Sequence, residues 1–135
     1  MTSIHHMAGQ VSAAKHVVFV HGLGGHYLET WMGGAQRDAF WPEWLCDDVP
    51  GLCIWSIEYD SAAVSGTDRG MQFQDLAENV FDAFLLHEDI LSKEIILIGH
   101  SLGGLIIKQM MRLASDRSAR SEARDLPVSY THLRA

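Results

Sequence analysis

Three short apolar runs constrain the fold of this chain more than any other feature of its sequence. They span residues 16–20, 52–57 and 95–98, and they are rich in Val, Ile and Leu. A run that is apolar at nearly every position suits a strand that is buried on both faces, as parallel sheets require. We therefore predict three neighbouring strands of one mainly parallel sheet.

Segments with helical periodicity fill the intervals between these runs. A short helix is predicted around 41–48, with Pro42 in its first turn, where a missing N–H costs little. Apolar residues recur at i, i+3, i+4 and i+7 across 73–85, and another helix is predicted from about 102 to 114. This alternation predicts an α/β fold with right-handed crossovers, a doubly wound sheet between two layers of helices.

The composition excludes several classes of function. The chain has 135 residues, 47% of them hydrophobic, and a net charge of -7. These values are typical of a globular domain with one core, and no segment gathers Lys and Arg into a surface for nucleic acid. No apolar run approaches the roughly 18 residues of a membrane span. We predict a cytoplasmic protein without a nucleic-acid partner, and membrane-surface association is not indicated.

The N-terminal segment and the two cysteines carry no signal for a special site. Residues 1–14 form a polar leader without the pattern of a signal peptide, and His5 and His6 are expected in a solvated tail. Cys46 and Cys53 are too few for a disulfide framework and lack the spacing of metal ligands. We predict that both thiols pack in or near the core, and we expect no metal or organic cofactor.

The chemistry is indicated by Gly99-His100-Ser101-Leu102-Gly103, which matches G-x-S-x-G. The motif directly follows a predicted strand and directly opens a predicted helix, the setting in which a serine becomes an exposed nucleophile. Glycine at 99 and 103 leaves room where a Cβ would clash on so tight a turn. We predict that Ser101 is the nucleophile and that His100 packs beside the turn. The alternative is a surface turn that happens to hold a serine.

A second motif, His21-Gly22-Leu23-Gly24-Gly25, ends the first predicted strand at the same sheet edge as Ser101. Acyl transfer places negative charge on a carbonyl oxygen, and two preorganised N–H donors lower that barrier. We predict the N–H groups of Leu102 and Leu23 as these donors, with Gly22 the next choice for the second donor and Gly24 as support. A phosphate cradle is excluded because no Lys-Ser/Thr follows the glycines and G-x-G-x-x-G breaks at Tyr27.

These segments resemble the lipase-like serine esterases of the α/β-hydrolase fold. The resemblance is closest to the branch of serine-active-site-containing proteins, and it covers residues 16 to about 114. It rests on residues 17–25, 30–31, 59–60 and 98–108. It implies hydrolysis of a carboxylic ester, with a lipid-like or small acyl ester as the substrate.

The rest of the catalytic triad is expected downstream, because α/β-hydrolases place the acid and the histidine after the nucleophile. Only 34 residues follow Ser101, whereas a full fold needs about 180 residues in all. We therefore predict an N-terminal part of the fold, truncated after the helix that follows Ser101. The expected divisions are a leader (1–14), a partial hydrolase domain (15–126) and a non-native tail (127–135) that resembles translated sequencing adapter.

Two consequences and one alternative follow from the truncation. The strand that carries Ser101 should expose an edge, and the isolated chain should aggregate and be nearly inactive. None of the other titratable residues is expected to replace the missing partners; these are His21, His26, Asp60, Asp116, Asp125 and His132. The alternative function is a non-catalytic interaction module of a larger signalling or repeat protein, since a fold does not guarantee a function.

Overall fold

The computed structural model describes residues 2–36, 39–64, 69–119 and 128–133. The strands are β1 (Ser3–Gly9), β2 (Lys15–Val20), β3 (Leu52–Glu58), β4 (Glu94–His100) and β5 (Val128–Leu133). The α-helices are α1 (Trp44–Asp48), α2 (Arg69–Leu85), α3 (Glu88–Leu91) and α4 (Leu102–Ala119), with 3-10 turns at Glu29–Trp31, Trp41–Glu43 and Ser61–Val64. None of the described helices is long and apolar enough to cross a membrane.

The strands form one mixed sheet in the order β1-β3-β2-β4-β5. β2 pairs in parallel with both β3 and β4, which confirms the three predicted strands and their parallel arrangement. Because parallel neighbours end at the same side, the segments that follow β2, β3 and β4 all leave the sheet at one edge. That edge carries both predicted motifs.

The sheet is buried on both faces, as the uninterrupted apolar runs predict. Alternate residues of a strand point to opposite faces, and Val18 and Val20 of β2 join a core cluster with α2, α3 and α4. Val17 and Phe19 join a second cluster with Trp31 and other aromatic residues of the loop between β2 and β3. The α/β class is therefore confirmed.

The N-terminal segment is not the solvated tail that its polarity suggested. β1 pairs antiparallel with β3, with a register shift between His6 and Ala8. The His5 Nε2 atom lies 2.6 Å from a carboxylate oxygen of Glu58, and the His5 ring stacks on Tyr27 at 4.0 Å. β1 satisfies backbone groups along the outer edge of β3, which would otherwise be left unpaired.

The strand that carries the serine motif does not expose an edge, so that expectation was wrong. β5 pairs in parallel with β4 and sets His132 opposite Gly99 in the register. That residues 127–135 form a non-native tail stays a prediction, and Asp125 lies outside the described residues.

The cysteines occupy the environment that was predicted. Both are free; Cys53 is buried and Cys46 is partly buried. Burial raises the pKa of Cys53 to about 11 and also raises that of Cys46. Because the thiolate is the reactive form, these thiols are unreactive at neutral pH.

A buried histidine of β2 forms a hydrogen bond with a tryptophan of β3. The Trp55 indole N–H donates to His16 Nδ1 at 2.9 Å, and His16 Nε2 donates to the Ala13 carbonyl at 3.1 Å. This pattern requires the neutral ring, because His16 needs one nitrogen as an acceptor. Burial lowers the pKa of His16 below its ordinary value of 6.5, and it does the same for His21.

We expect the free energy of unfolding to fall as the pH decreases below 6.5, since the unfolded chain then binds protons that the folded chain rejects at His16 and His21. Urea denaturation at several pH values measures this slope. The variant His16→Gln removes one of the two titrations and should have a shallower slope. A stability that is constant or rises on acidification would contradict the assignment of neutral, buried rings.

Candidate active site

Ser101 lies at a sharp corner between β4 and α4. Its φ is 53°, and it is the one non-glycine residue of the described chain with a positive φ. Such a backbone angle costs about 1–3 kcal/mol and persists only where the surrounding structure imposes it. The Gly104 N–H donates to the Ser101 carbonyl at 3.0 Å, so the first turn of the helix forms directly at this residue.

Two glycines allow this corner to form. A Cβ placed on Gly103 would lie 2.1 Å from the Val20 carbonyl oxygen and 2.5 Å from that of His21. A Cβ on Gly99 would lie 2.6 Å from the Gly104 nitrogen. The start of α4 therefore lies directly against the end of β2 at Gly103, and against the end of β4 at Gly99, and each close approach requires glycine.

The glycine-rich loop after β2 touches the serine corner. A Cβ on Gly22 would lie 2.9 Å from both the His100 carbonyl oxygen and Ser101 Cβ. The two predicted motifs thus come together at one edge of the sheet, although they are about 80 residues apart in sequence. Leu23, the next residue of the loop, is 64% exposed.

Most N–H groups of this loop already have acceptors. The donors Gly24, Gly25 and His26 bond to Ser61 Oγ at 2.9 Å, the Gly22 carbonyl at 3.0 Å and Thr30 Oγ1 at 2.8 Å, respectively. The N–H groups of Gly22 and Leu23 have no acceptor within the described part of the chain. Two adjacent backbone donors are therefore available beside Ser101.

Buried groups hold the start of the loop. The His21 Nδ1 atom donates to the Gly22 carbonyl at 2.9 Å, and its ring stacks on Tyr59 with centroids 4.3 Å apart. The Tyr59 hydroxyl donates to the His21 carbonyl. Burial raises the pKa of Tyr59, which keeps this hydroxyl protonated as a donor. His21 therefore fixes the start of the loop and is not placed as a base.

The other histidines near the corner also have structural contacts. The His26 Nδ1 atom accepts the N–H groups of Leu28 and Glu29 at 3.2 and 3.4 Å, which caps the following 3-10 turn. The half-buried His100 ring lies edge-on to Trp31 at 6.4 Å. His100 packs beside the corner, as the sequence predicted.

Neither of two acidic residues considered in the sequence is placed as a partner of Ser101. The Asp60 carboxylate accepts the Ala62 N–H at 3.0 Å and caps the 3-10 turn that follows β3. Asp116 is exposed near the end of α4, and the helix is unbroken from Leu102 to Ala119. At 1.5 Å per residue Asp116 is about 22 Å from Ser101 along the helix.

An aromatic cluster flanks the corner on the second face of the sheet. Phe19, Trp31 and Trp41 pack edge-to-face, and Phe40 is buried beside them, so core packing accounts for Phe40 and Trp41. The indole N–H of Trp31 is buried without an acceptor among the described residues. Trp44, by contrast, is 52% exposed.

An open cavity of about 730 Å³ lies along the segment that follows the loop. It is lined by Leu28, Glu29, Met32, Gly33, Gly34 and Ala35. Its wall is mainly apolar, and Glu29 is the one charged residue among the described residues that line it. Within the described ranges, no three His, Cys, Asp or Glu side chains cluster as they would around a metal ion.

The substitution Gly103→Ala should destabilise the fold by several kcal/mol, because its methyl group would overlap the Val20 and His21 carbonyl oxygens. Thermal unfolding followed by circular dichroism measures the loss. The matched control is Gly33→Ala, where the nearest atom to a new Cβ is 3.8 Å away and the expected change is small. Equal melting temperatures for both variants would contradict the close approach of α4 to β2.

Comparison with curated proteins gives relatives that share one name. The chain is 31% identical over 119 residues to Protein SERAC1 of Mus musculus, covering 75% of this chain and 18% of the relative. It is 31% identical over 120 residues to the Danio rerio protein, covering 70% and 18%, and 30% identical over 119 residues to that of Homo sapiens, covering 75% and 18%. The chain thus spans less than a fifth of the length of these relatives.

No solved structure matches the chain. A family profile described as "Putative serine esterase (DUF676)" matches residues 11–132. This range contains β2, β3, β4, the loop after β2 and the Ser101 corner, together with most of β5. The description supports a hydrolase and agrees with the chemistry that the two motifs predict. The chain belongs to this family.

Proposed function

We propose that the full-length protein is a serine hydrolase that cleaves a carboxylic ester through an acyl-enzyme on Ser101, within an α/β-hydrolase fold. One observation carries this proposal: Ser101 has a φ of 53° at the β4–α4 corner and lies against Gly22 of the loop after β2. Packing alone does not require a serine with so unfavourable a backbone angle. Strain of this kind concentrates at active sites.

The proposed reaction follows the usual order of acyl transfer. The Ser101 hydroxyl attacks the ester carbonyl, and a histidine downstream in the full-length protein takes its proton. The carbon–oxygen bond to the alcohol then breaks, and the same histidine returns the proton to the leaving alcohol. Water repeats the sequence on the acyl-enzyme and releases the acid. An acidic residue downstream would orient the histidine.

The oxyanion donors are assigned by accounting for the backbone N–H groups. Gly24, Gly25 and His26 are already bonded, which leaves Leu23 and Gly22 in the loop. We assign Leu23 as one donor, and Leu102, the first residue of α4, as the other. The N-terminal end of a helix favours negative charge, and α4 adds this effect beside the oxyanion.

A lipid-like or small acyl ester is the proposed substrate class. The side chain of Leu23 is exposed next to the proposed oxyanion site. Leu28 and Met32 line the open cavity along the segment that follows the glycine-rich loop. Such surfaces favour the apolar part of an ester. A cytoplasmic location stays a prediction. No described contact specifically favours a non-catalytic interaction module.

Ser101 should react covalently with a fluorophosphonate probe in the full-length protein, and Ser101→Ala should abolish both labelling and ester turnover. Peptide mass spectrometry locates the modified residue, and hydrolysis of p-nitrophenyl esters measures turnover. The matched control is Ser92→Ala, which changes an exposed serine on the loop before β4 and should retain full activity. Labelling that persists in Ser101→Ala would contradict the assignment.

Leu23→Pro should lower kcat by about 10²–10³-fold, because it removes the N–H proposed to bind the oxyanion. Leu23→Ala keeps that N–H and should change kcat far less, while the loss of the exposed side chain should raise KM. Steady-state kinetics on one ester, with a melting temperature for each variant, compare the two. If both variants had the same kcat, the donor would have to be sought elsewhere.

A further inference from the structure

The segment that follows β3 runs beside the loop that follows β2. β2 and β3 are parallel, with Val20 opposite Ile57, so both segments leave the sheet at the same edge. Two residues of this segment, Tyr59 and Ser61, are buried. Neither belongs to the serine motif or to the glycine-rich loop.

Tyr59 contacts the loop at its first residue. Its hydroxyl donates to the His21 carbonyl, and its ring stacks on the His21 ring with an angle of 9° between the planes. His21 in turn donates from Nδ1 to the Gly22 carbonyl. The position of the peptide that precedes Gly22 is therefore fixed by one hydroxyl and one ring of Tyr59.

Ser61 contacts the loop three residues later. Its hydroxyl oxygen accepts the Gly24 N–H at 2.9 Å. Gly24 has a φ of 68°, is exposed, and has no heavy atom within 4 Å of an added Cβ. Side-chain packing therefore does little to hold the chain at Gly24, and the bond to Ser61 takes that role.

The two contacts lie on either side of the N–H groups that have no acceptor among the described residues. Tyr59 holds residue 21, Ser61 holds residue 24, and Gly22 and Leu23 lie between them. Donors stabilise a transition state only when they are held in place beforehand. The position at which these two contacts hold the Gly22 and Leu23 N–H groups therefore affects the rate of the reaction. A group that binds substrate and transition state equally would instead act on KM.

We propose that Tyr59 and Ser61 are positioning residues that hold the Gly22–Leu23 backbone for the oxyanion formed at Ser101, an inference that rests on the proposed esterase function. Neither side chain is assigned a contact with the substrate. Their removal should therefore lower kcat while KM stays nearly constant. The affinity for a transition-state analogue should fall in parallel with kcat/KM.

The test uses Tyr59→Phe, which keeps the ring, and Ser61→Ala in the full-length protein. Each should lower kcat about tenfold or more with KM within about twofold, and weaken inhibition by an alkyl boronic acid to the same extent as kcat/KM falls. Ser61→Thr keeps a hydroxyl and should restore most of kcat. Tyr27→Phe and Ser92→Ala are the matched controls, and they should behave as wild type.

A purely structural role predicts different results. The melting temperatures of the variants would then fall without a selective decrease in kcat. Alternatively, the kcat of Ser61→Thr would be as low as that of Ser61→Ala. Either result overturns the positioning role. Equal kinetics in the test and control variants overturn it as well. If the wild-type protein has no turnover that depends on Ser101, the proposed esterase function fails first and this inference fails with it.

Discussion

The close approach of two backbones, at Gly103 of α4 and at the end of β2, is the contact on which the arrangement depends. The Val20 carbonyl oxygen would lie 2.1 Å from any Cβ at position 103. Because no side chain separates helix from strand here, α4 begins directly above the parallel pair β2–β4. This contact places Ser101, which directly precedes α4, beside Gly22 of the loop that follows β2.

The sequence predicted the centre of the sheet better than its margins. β2, β3 and β4 have apolar residues at nearly every position because both faces are covered, and that pattern is visible without coordinates. β1 was missed because its residues do not alternate regularly between polar and apolar, and its pairing with β3 has a register shift between His6 and Ala8. β5 was missed because residues 127–135 were interpreted as a non-native tail, although Val, Tyr and Thr favour strands. The four-residue helix α3 is too short to show a period.

The site was predictable to the extent that it depends on local backbone geometry. A serine between glycines after a strand, and a glycine stretch after a parallel neighbour, must meet at one sheet edge, and Gly22 does touch Ser101. The contacts of Tyr59 with His21 and of Ser61 with Gly24 join residues 38 and 37 positions apart. No period or motif reports such pairs, because they arise only when two loops leave the sheet side by side.

The direction of β1 has a practical consequence for handling the protein. Since β1 is antiparallel to β3, Ser3 lies opposite Glu58, at the end of β3 from which Tyr59 and Ser61 continue. The N-terminal end of β1 therefore lies at the same edge of the sheet as Ser101. A bulky group attached at Ser3 would lie on the edge where the two motifs meet, so this end of β1 is better left unmodified in kinetic work.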